Sequence, residues 1–256
     1  MTKVAFAISA HPDDIEFTMA GTLVLLKQAG YEIHYMTVAN GSCGSVEHDA
    51  ATTARIRRQE AQDAAAFIGA VYHDSLCADL EIFYNSSLLK RLGAVIRAVA
   101  PDIILTHPPQ DYMEDHMNTC RLVVTAAFAR GMPNYVVDPP TPPVDKPVTL
   151  YHCIPHGLQT SMRQPVQPDL YVDVGSVLAT KLGMLACHRS QKEWLDASQG
   201  INSYLDYLET ENRGMGRMSG RFDYAEGWTR HLHFGYCAEN ANPLADDIPA
   251  QLVVQI

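Results

Sequence analysis

Strand-like and helix-like segments alternate along the first half of this chain. Apolar runs rich in β-branched and aromatic residues predict strands at 3–9, 32–39, 71–74 and 102–106. Helical spacing of apolar residues predicts helices at 15–29, 53–68, 86–100 and 117–130. Strands that alternate with helices through short connections form a parallel sheet covered on both faces, with right-handed crossovers. The predicted fold class is therefore α/β, a Rossmann-like three-layer sandwich with a mostly parallel central sheet.

The second half of the chain continues the pattern less regularly. Strands are predicted at 148–154, 170–174 and 230–234, and helices at 175–188 and 193–212. With 256 residues in all, we expect one domain over 1–256, in which 148–256 adds strands and helices to the same unit. The proline-rich residues 138–147 are either a rigid connector or a lid, and loops 42–52 and 138–147 are candidates for substrate recognition. The apolar tail 250–256 either adds a strand to a neighbouring copy or packs on its own domain.

Composition excludes several classes of function. The formal net charge of −10 argues against a protein that follows a phosphate backbone, and against binding to anionic lipid. No apolar run approaches the ~20 residues that a membrane span requires. The first residues show no cleavage signal, and the six cysteines include no Cys-x-x-Cys pair. We therefore expect a cytoplasmic protein with reduced thiols that acts on a small molecule, with neither a nucleic acid nor a membrane as partner.

Two polar loops follow predicted strands and carry most of the chemistry. His11, Asp13 and Asp14 come directly after the first strand, and residues 107–116 follow the fourth. In open α/β sheets, ligands bind at the carboxyl ends of strands, so neighbouring strands would bring the two loops together. Imidazole and carboxylate groups suit zinc, which needs about three such donors and an open position for water. A helix cap at Asp14 is the simpler alternative, but it leaves His11 and Asp13 unexplained.

A three-donor site can be drawn from these loops. His11, Asp14 and His116 could hold the ion, with Asp13 beside the bound water rather than on the metal. Asp115 could orient His116 or a neighbouring group through a hydrogen bond. His107, at the end of the fourth strand, competes with His116 as a ligand, although a hydrogen bond to the backbone is the commoner fate of such a residue.

The order of motifs resembles one family, the PIG-L/LmbE-like metal-dependent N-deacetylases. The opening signature is Ala10-His11-Pro12-Asp13-Asp14 with Gly21-Thr22-Leu23 on the next helix. The further matching positions are Arg57 and Glu60, Asp115-His116, Lys181, His188-Arg189-Ser190-Gln191 and Tyr224-Ala225-Glu226. The match covers roughly residues 4–230, and the first motif, the Asp-His pair and the His-x-Ser-Gln run in that order are a specific combination. Members of this family remove N-acetyl groups from glucosamine-type substrates.

The resemblance implies roles for individual residues. His11, Asp14 and His116 would bind zinc or another divalent metal, Asp13 would be the general base, and Arg57 would lie near the substrate. Many members have a histidine where this chain has Met113, a side chain that neither donates a proton nor stabilises an oxyanion. Either Asp13 then acts twice, with His188 or Tyr112 as helper, or the substrate differs from the usual amino sugar.

The expected function is a zinc-dependent hydrolase that removes an acetyl or other N-acyl group from an amino sugar or related amine. A metal-dependent hydrolase of a non-sugar amide or ester is an alternative. A Rossmann-like nucleotide-binding protein is a further one, but no Gly-x-Gly-x-x-Gly follows the first strand, and the acidic loop there would repel a pyrophosphate. Because family members are often oligomeric, we expect a homo-oligomer.

Overall fold

A computed structural model describes residues 2–192 and 204–254. The strands are β1 Val4–Ser9, β2 Glu32–Thr37, β3 Val71–His73, β4 Ile103–Thr106, β5 Thr149–Cys153, β6 Leu170–Asp173, β7 Ala225–Arg230 and β8 Leu252–Val254. The helices are α1 Asp14–Thr18, α2 Ala20–Gln28, α3 Ala50–Phe67, α4 Ser86–Val99, α5 Glu114–Phe128, α6 Leu178–Leu185, α7 Tyr204–Ser219 and α8 Pro243–Asp247. Within the described ranges, no helix is both long and apolar enough to cross a membrane.

The strands form one sheet in the order β3-β2-β1-β4-β5-β7-β6-β8. The first five strands in this order, β3, β2, β1, β4 and β5, are parallel to one another. The last three, β7, β6 and β8, are joined by antiparallel pairings. The predicted mostly parallel sheet is confirmed, and the tail packs on its own chain because β8 pairs with β6.

Helices cover both faces of the sheet, which confirms the three-layer arrangement. Along β1, Ala5 and Ala7 face the core under α2, α3 and α6, whereas Phe6 and Ile8 face the core under α4 and α5. Since successive side chains of a strand point to opposite faces, a strand buried on both sides becomes a continuous apolar run. This is the physical origin of the apolar runs from which the parallel strands were predicted.

Two secondary-structure predictions were wrong in detail. The predicted helix 15–29 is two helices, because the backbone of Met19 leaves the helical region between α1 and α2. The predicted strand 230–234 lies five residues too late, since β7 spans Ala225–Arg230. Of the predicted helix 193–212, residues 193–203 lie outside the described residues, and α7 begins at Tyr204.

The proline-rich segment 138–147 is not a lid. It precedes β5, at the edge of the sheet opposite to the loops that follow β1 and β4. Arg130 donates to the carbonyl of Lys146, and Arg97 donates to the carbonyl of Thr141. These hydrogen bonds fasten the segment as a connector, so a role of 138–147 in substrate recognition is ruled out by position.

A buried ion pair helps to hold α2 and α6 against the antiparallel part of the sheet. Glu226 on β7 accepts hydrogen bonds from the backbone N–H groups of Gly21 and Thr22 and from Lys181 Nζ, at 2.6–2.8 Å. A Cβ on Gly21 would lie 2.4 Å from Cγ1 of Val174, so only glycine allows this approach of α2. The motif residues Gly21, Thr22, Lys181 and Glu226 thus hold the first helices against the antiparallel strands.

Candidate active site

The loop after β1 places two carboxylates in different directions. Asp13 has a positive φ of 99°, an uncommon conformation for a residue other than glycine but one that aspartate adopts more readily than most. This backbone turn separates the side chain of Asp13 from that of Asp14. Asp14 Oδ2 accepts the backbone N–H of His11 at 2.7 Å and does not cap the helix as an N-cap residue, so the simple capping interpretation is wrong.

His11, Asp14 and His116 lie together and are buried. His11 Nδ1 is 3.6 Å from Asp14 Oδ2, and His116 Nε2 is 3.4 Å from Asp14 Oδ1. Potential ligand atoms of the three residues all fall within 4.8 Å of one another. The arrangement has the size and donor chemistry of a small divalent-cation site, with His116 supplied by the first turn of α5.

The outward-facing ring nitrogen of each histidine is held by a carboxylate. His11 Nε2 lies 2.9 Å from Asp115 Oδ2, and His116 Nδ1 lies 3.0 Å from Asp111 Oδ1. Metal-binding histidines usually have such a partner, which sets the tautomer and the ring orientation. Asp115 therefore contacts His11, the neighbour, rather than His116, and Asp111 is the orienting residue that the sequence reading missed.

The electrostatics of the cluster favour bound positive charge. Burial lowers the pKa of His11, but hydrogen bonds with Asp115 and Asp14 outweigh burial and raise the pKa to about 9. Burial also lowers the pKa of His116, but Asp14 and Asp111 outweigh burial and raise the pKa to about 10. Burial alone would raise the pKa of Asp14, yet His116, His107 and His11 hold it well below its usual range. A cation among the three side chains would supply this positive charge while both imidazoles bind it in neutral form.

His107 is engaged with the backbone. Its Nε2 accepts the N–H of Ala10 at 3.0 Å, and burial lowers the pKa of His107 to about 4. The ring stacks on that of His116 with 4.0 Å between centroids. His107, Asp111 and His116 also come within ligand distance of one another, but the acceptor nitrogen of His107 and the carboxylate of Asp111 already have partners.

Asp13 lies beside this cluster and is held by two groups. Tyr204, the first residue of α7, donates its hydroxyl to Asp13 Oδ2, and an Arg57 nitrogen lies 3.4 Å from Asp13 Oδ1. Arg57 also donates to the carbonyl of Pro12. Burial raises the pKa of Asp13, and Arg57 opposes the rise. A buried carboxylate with a raised pKa that lines a cavity is suited to accepting and returning a proton.

A cavity of about 650 Å³ opens onto these residues. Its lining includes Asp13 and the three clustered donors, and it includes the predicted Tyr112 and Arg57. Cys43 and Gly44, from the predicted recognition loop 42–52, also line it. His188 is fully buried, with Nε2 3.3 Å from Glu16 Oε2, and it is absent from the lining; the structure therefore does not bring it to the cavity.

Several cavity residues were missed by the sequence reading. Tyr204, Tyr207, His156 and Gln191 line the cavity from the second half of the chain, and Asp79 and Leu80 line it from the loop after β3. Gln191 stands in the quoted His-Arg-Ser-Gln run, so a signal existed for it. The sequence offered no spacing signal for Tyr204. His156 lies four residues after His152, a spacing that predicts a metal pair only on a helix, and in a strand and loop it indicates a structural residue. Both residues reach the cavity through long-range packing.

Comparison with known proteins identifies the family. Residues 6–127 match the family model described as PIG-L, GlcNAc-PI de-N-acetylase. The matched segment, which runs from β1 to α5, is a PIG-L family domain. It is 27% identical over 235 residues to a diacetylchitobiose deacetylase of Thermococcus kodakarensis, covering 88% of this chain and 82% of that protein. The predicted family and the prediction of an enzyme are both confirmed.

Other similar proteins carry a different activity in their names. A 4-oxalmesaconate hydratase of Pseudomonas putida is 28% identical over 202 residues, which are 74% of either chain. The crystal structure of a 4-carboxy-2-hydroxymuconate hydratase from the same species superimposes with a TM-score of 0.75 at 24% identity, covering 94% of this chain and 100% of that one. This structural likeness supports the fold over 94% of this chain, and thus beyond residue 127, where the family model ends.

Proposed function

We propose that this protein is a metal-dependent N-deacetylase that removes an acetyl or related acyl group from an amino sugar or a similar amine. The observation that carries the proposal is the cluster of His11, Asp14 and His116, open to a cavity that Asp13 also lines. The family model and the deacetylase relative support the same chemistry.

The donor set fits a divalent cation, zinc or another. Two imidazole nitrogens and one carboxylate match the ligand types of catalytic zinc sites, and Asp115 and Asp111 hold the far sides of the rings. When bound, the cation supplies Lewis acidity, which polarises a carbonyl and makes water more acidic.

Asp13 is the proposed general base. It lines the cavity next to the donors, and its conformation is set by Tyr204 and Arg57. Its carboxylate takes a proton from the attacking water and, once protonated, returns the proton to the amine as the carbon–nitrogen bond breaks. Tyr112, which lines the cavity at an exposed position, is the proposed helper in this step. His188 is buried beside Glu16 and does not line the cavity, so the proposal gives it no part in the proton transfer.

The test is acetate release from N-acetylglucosamine derivatives by the full chain. We expect turnover that a chelator abolishes and that added zinc, or a second divalent metal, restores. A metal-loaded enzyme that releases no acid from any N-acylated amine would contradict the proposal.

A second candidate function is hydration of an unsaturated carboxylic acid. The observation that favours it is Met113 in the cavity wall, a side chain that cannot protonate a leaving amine. Hydration expels no leaving group, and the proton taken from water is returned to the neighbouring carbon of the substrate. The hydratase relative supports it, and the buried guanidinium of Arg57 could pair with a substrate carboxylate. Loss of the ultraviolet absorbance of a conjugated unsaturated dicarboxylate would identify this activity, while acetate release would identify the first.

We also propose that the whole chain acts as one domain, cytoplasmic and homo-oligomeric. Support for one domain comes from the shared sheet and from Tyr204, which reaches Asp13 from the second half. Exposed apolar side chains at Leu232 and Phe234 support association between copies. Light scattering after size-exclusion chromatography tests the assembly, and a monomeric mass would contradict it.

A further inference from the structure

His156 faces the same cavity as the proposed metal ligands. It follows β5 and begins a short helical turn, His156–Leu158. Its ring centroid lies 6.4 Å from that of His116 and 6.3 Å from that of Tyr112, and all three residues line the cavity. A group of a few atoms placed between His116 and His156 would thus touch both rings.

Glu211, on α7, fixes the orientation of this ring. Its Oε2 lies 3.0 Å from His156 Nδ1, and its Oε1 accepts the hydroxyl of Tyr207 at 3.0 Å and the backbone N–H of Gly157. The carboxylate is only 11% exposed in its side chain. Both oxygens of Glu211 are thus hydrogen-bonded, and its bond to Nδ1 of His156 leaves Nε2 as the ring nitrogen available to the cavity.

The ring is also packed in place by aromatic neighbours. Phe17 meets it edge-on at 5.1 Å between centroids, and Tyr207 stacks against it at 6.3 Å. A histidine that is packed on its faces and held at Nδ1 cannot turn away from the cavity. Burying the carboxylate of Glu211 costs free energy, and an apolar side chain at position 156 would fill the same space without that cost. The pair therefore points to a role for His156 beyond packing.

Met113 leaves a gap in the hydrogen-bonding groups of the cavity wall. Its thioether is at best a weak acceptor, whereas the oxygens of an acyl group call for a donor opposite the metal. We propose that His156, oriented by Glu211, is the hydrogen-bond donor that holds the acyl oxygens of the substrate and of the carboxylate product. This inference deepens the proposed function and rests on it for the identity of the reacting group.

The charge of the pair supports the donor role. The Glu211 carboxylate, 3.0 Å from Nδ1, stabilises the protonated form of the ring. A protonated ring carries N–H groups on both nitrogens, so it can bond Glu211 and a bound carboxylate at the same time.

The test is calorimetric titration of the zinc-loaded full chain with acetate, the simplest carboxylate that the site would hold. Losing one charge-assisted hydrogen bond weakens binding by about 10-fold or more. We expect that loss in His156→Ala and a smaller one in Glu211→Gln. His233→Ala, which removes a histidine outside the cavity lining, should bind acetate like the wild type.

His156→Gln separates a lost donor from a damaged fold. Its amide can still donate to a carboxylate, so we expect affinity between those of the wild type and the alanine variant. Equal acetate affinity in the wild type and the alanine variant would overturn the inference, and so would a wild-type enzyme with no saturable acetate binding. Because this titration needs no turnover, it decides the role of His156 even if the enzyme proves not to release acetate.

Discussion

Two buried carboxylates in this molecule have opposite surroundings. Glu226 is saturated: fixed N–H groups and Lys181 Nζ contact it at 2.6–2.8 Å, and Lys181 is also bonded to Asn212. Asp14 accepts one short hydrogen bond, from the backbone N–H of His11 at 2.7 Å, but it meets the ring nitrogens of His11, His107 and His116 only at 3.3–3.6 Å, and it borders an open cavity. The carboxylate of Glu226 has its partners within the protein. In the Asp14 cluster, the cavity-facing nitrogens of His11 and His116 lie 3.6 and 3.4 Å from the carboxylate and can still bind a cation. Burial and charge alone therefore do not mark a functional site. Nitrogen and oxygen atoms that can still bind a ligand do.

The largest expected effect is the loss of a proposed ligand. His116→Ala leaves two donors, so the folded protein should lose its metal. We expect its turnover to fall by about 10⁴-fold or more, as expected when several kcal/mol of transition-state stabilisation disappear. Elemental analysis of the purified variant measures the metal. His107→Ala is the matched control and should retain it; full metal content in His116→Ala would remove that residue from the ligand set.

Changing the proposed base should separate metal binding from catalysis. Asp13→Asn keeps the size of the side chain but cannot accept the proton, so we expect bound metal and a rate ~10²–10⁴-fold lower. The exposed substitution Asp74→Asn should be silent. A steady-state rate for Asp13→Asn near that of the wild type would mean that another group takes the proton.

A change in the Glu226 cluster should lower the free energy of unfolding rather than the affinity for metal. Lys181→Met leaves Glu226 buried without its cation, and breaking a buried ion pair typically costs about 3–5 kcal/mol. Urea unfolding measures the change. The exposed pair of Lys3 and Asp247 offers the control, since Lys3→Met should cost about 1 kcal/mol or less. If the two lysine variants were equally stable, the structural role of the Glu226 cluster would be wrong.

The smallest effect should come from a group behind the ligands. Asp111→Asn keeps a hydrogen-bonding side chain at His116 Nδ1 but removes its charge. Loss of such a partner typically weakens metal affinity by about 10–100-fold. Competition with a chelator of known affinity measures it. An unchanged metal affinity would assign Asp111 a purely structural role in the loop after β4.

The half of the molecule built from alternating strands and helices was predictable because its signals are local. A strand buried on both faces must be apolar throughout, so β1, β2 and β4 are visible as runs in the sequence. The antiparallel half carries weaker signals. Strand β7 includes Glu226 and Gly227, which are not typical strand residues. Glu226 bonds Lys181, and Gly227 leaves room for Met215 across the core. The predicted strand 230–234 was misplaced for this reason.

By itself, the sequence determined the fold class and the two loops whose donors converge, because adjacent parallel strands must end at the same edge of a sheet. Only the tertiary structure decided which carboxylate holds which histidine, that Tyr204 contacts Asp13, and that His156 faces the cavity while His188 does not. The positions of Tyr204 and His156 depend on where α7 and the turn after β5 pack against the first half. Such packing brings Tyr204 to Asp13 across 191 positions, a separation over which sequence spacing carries no geometric information.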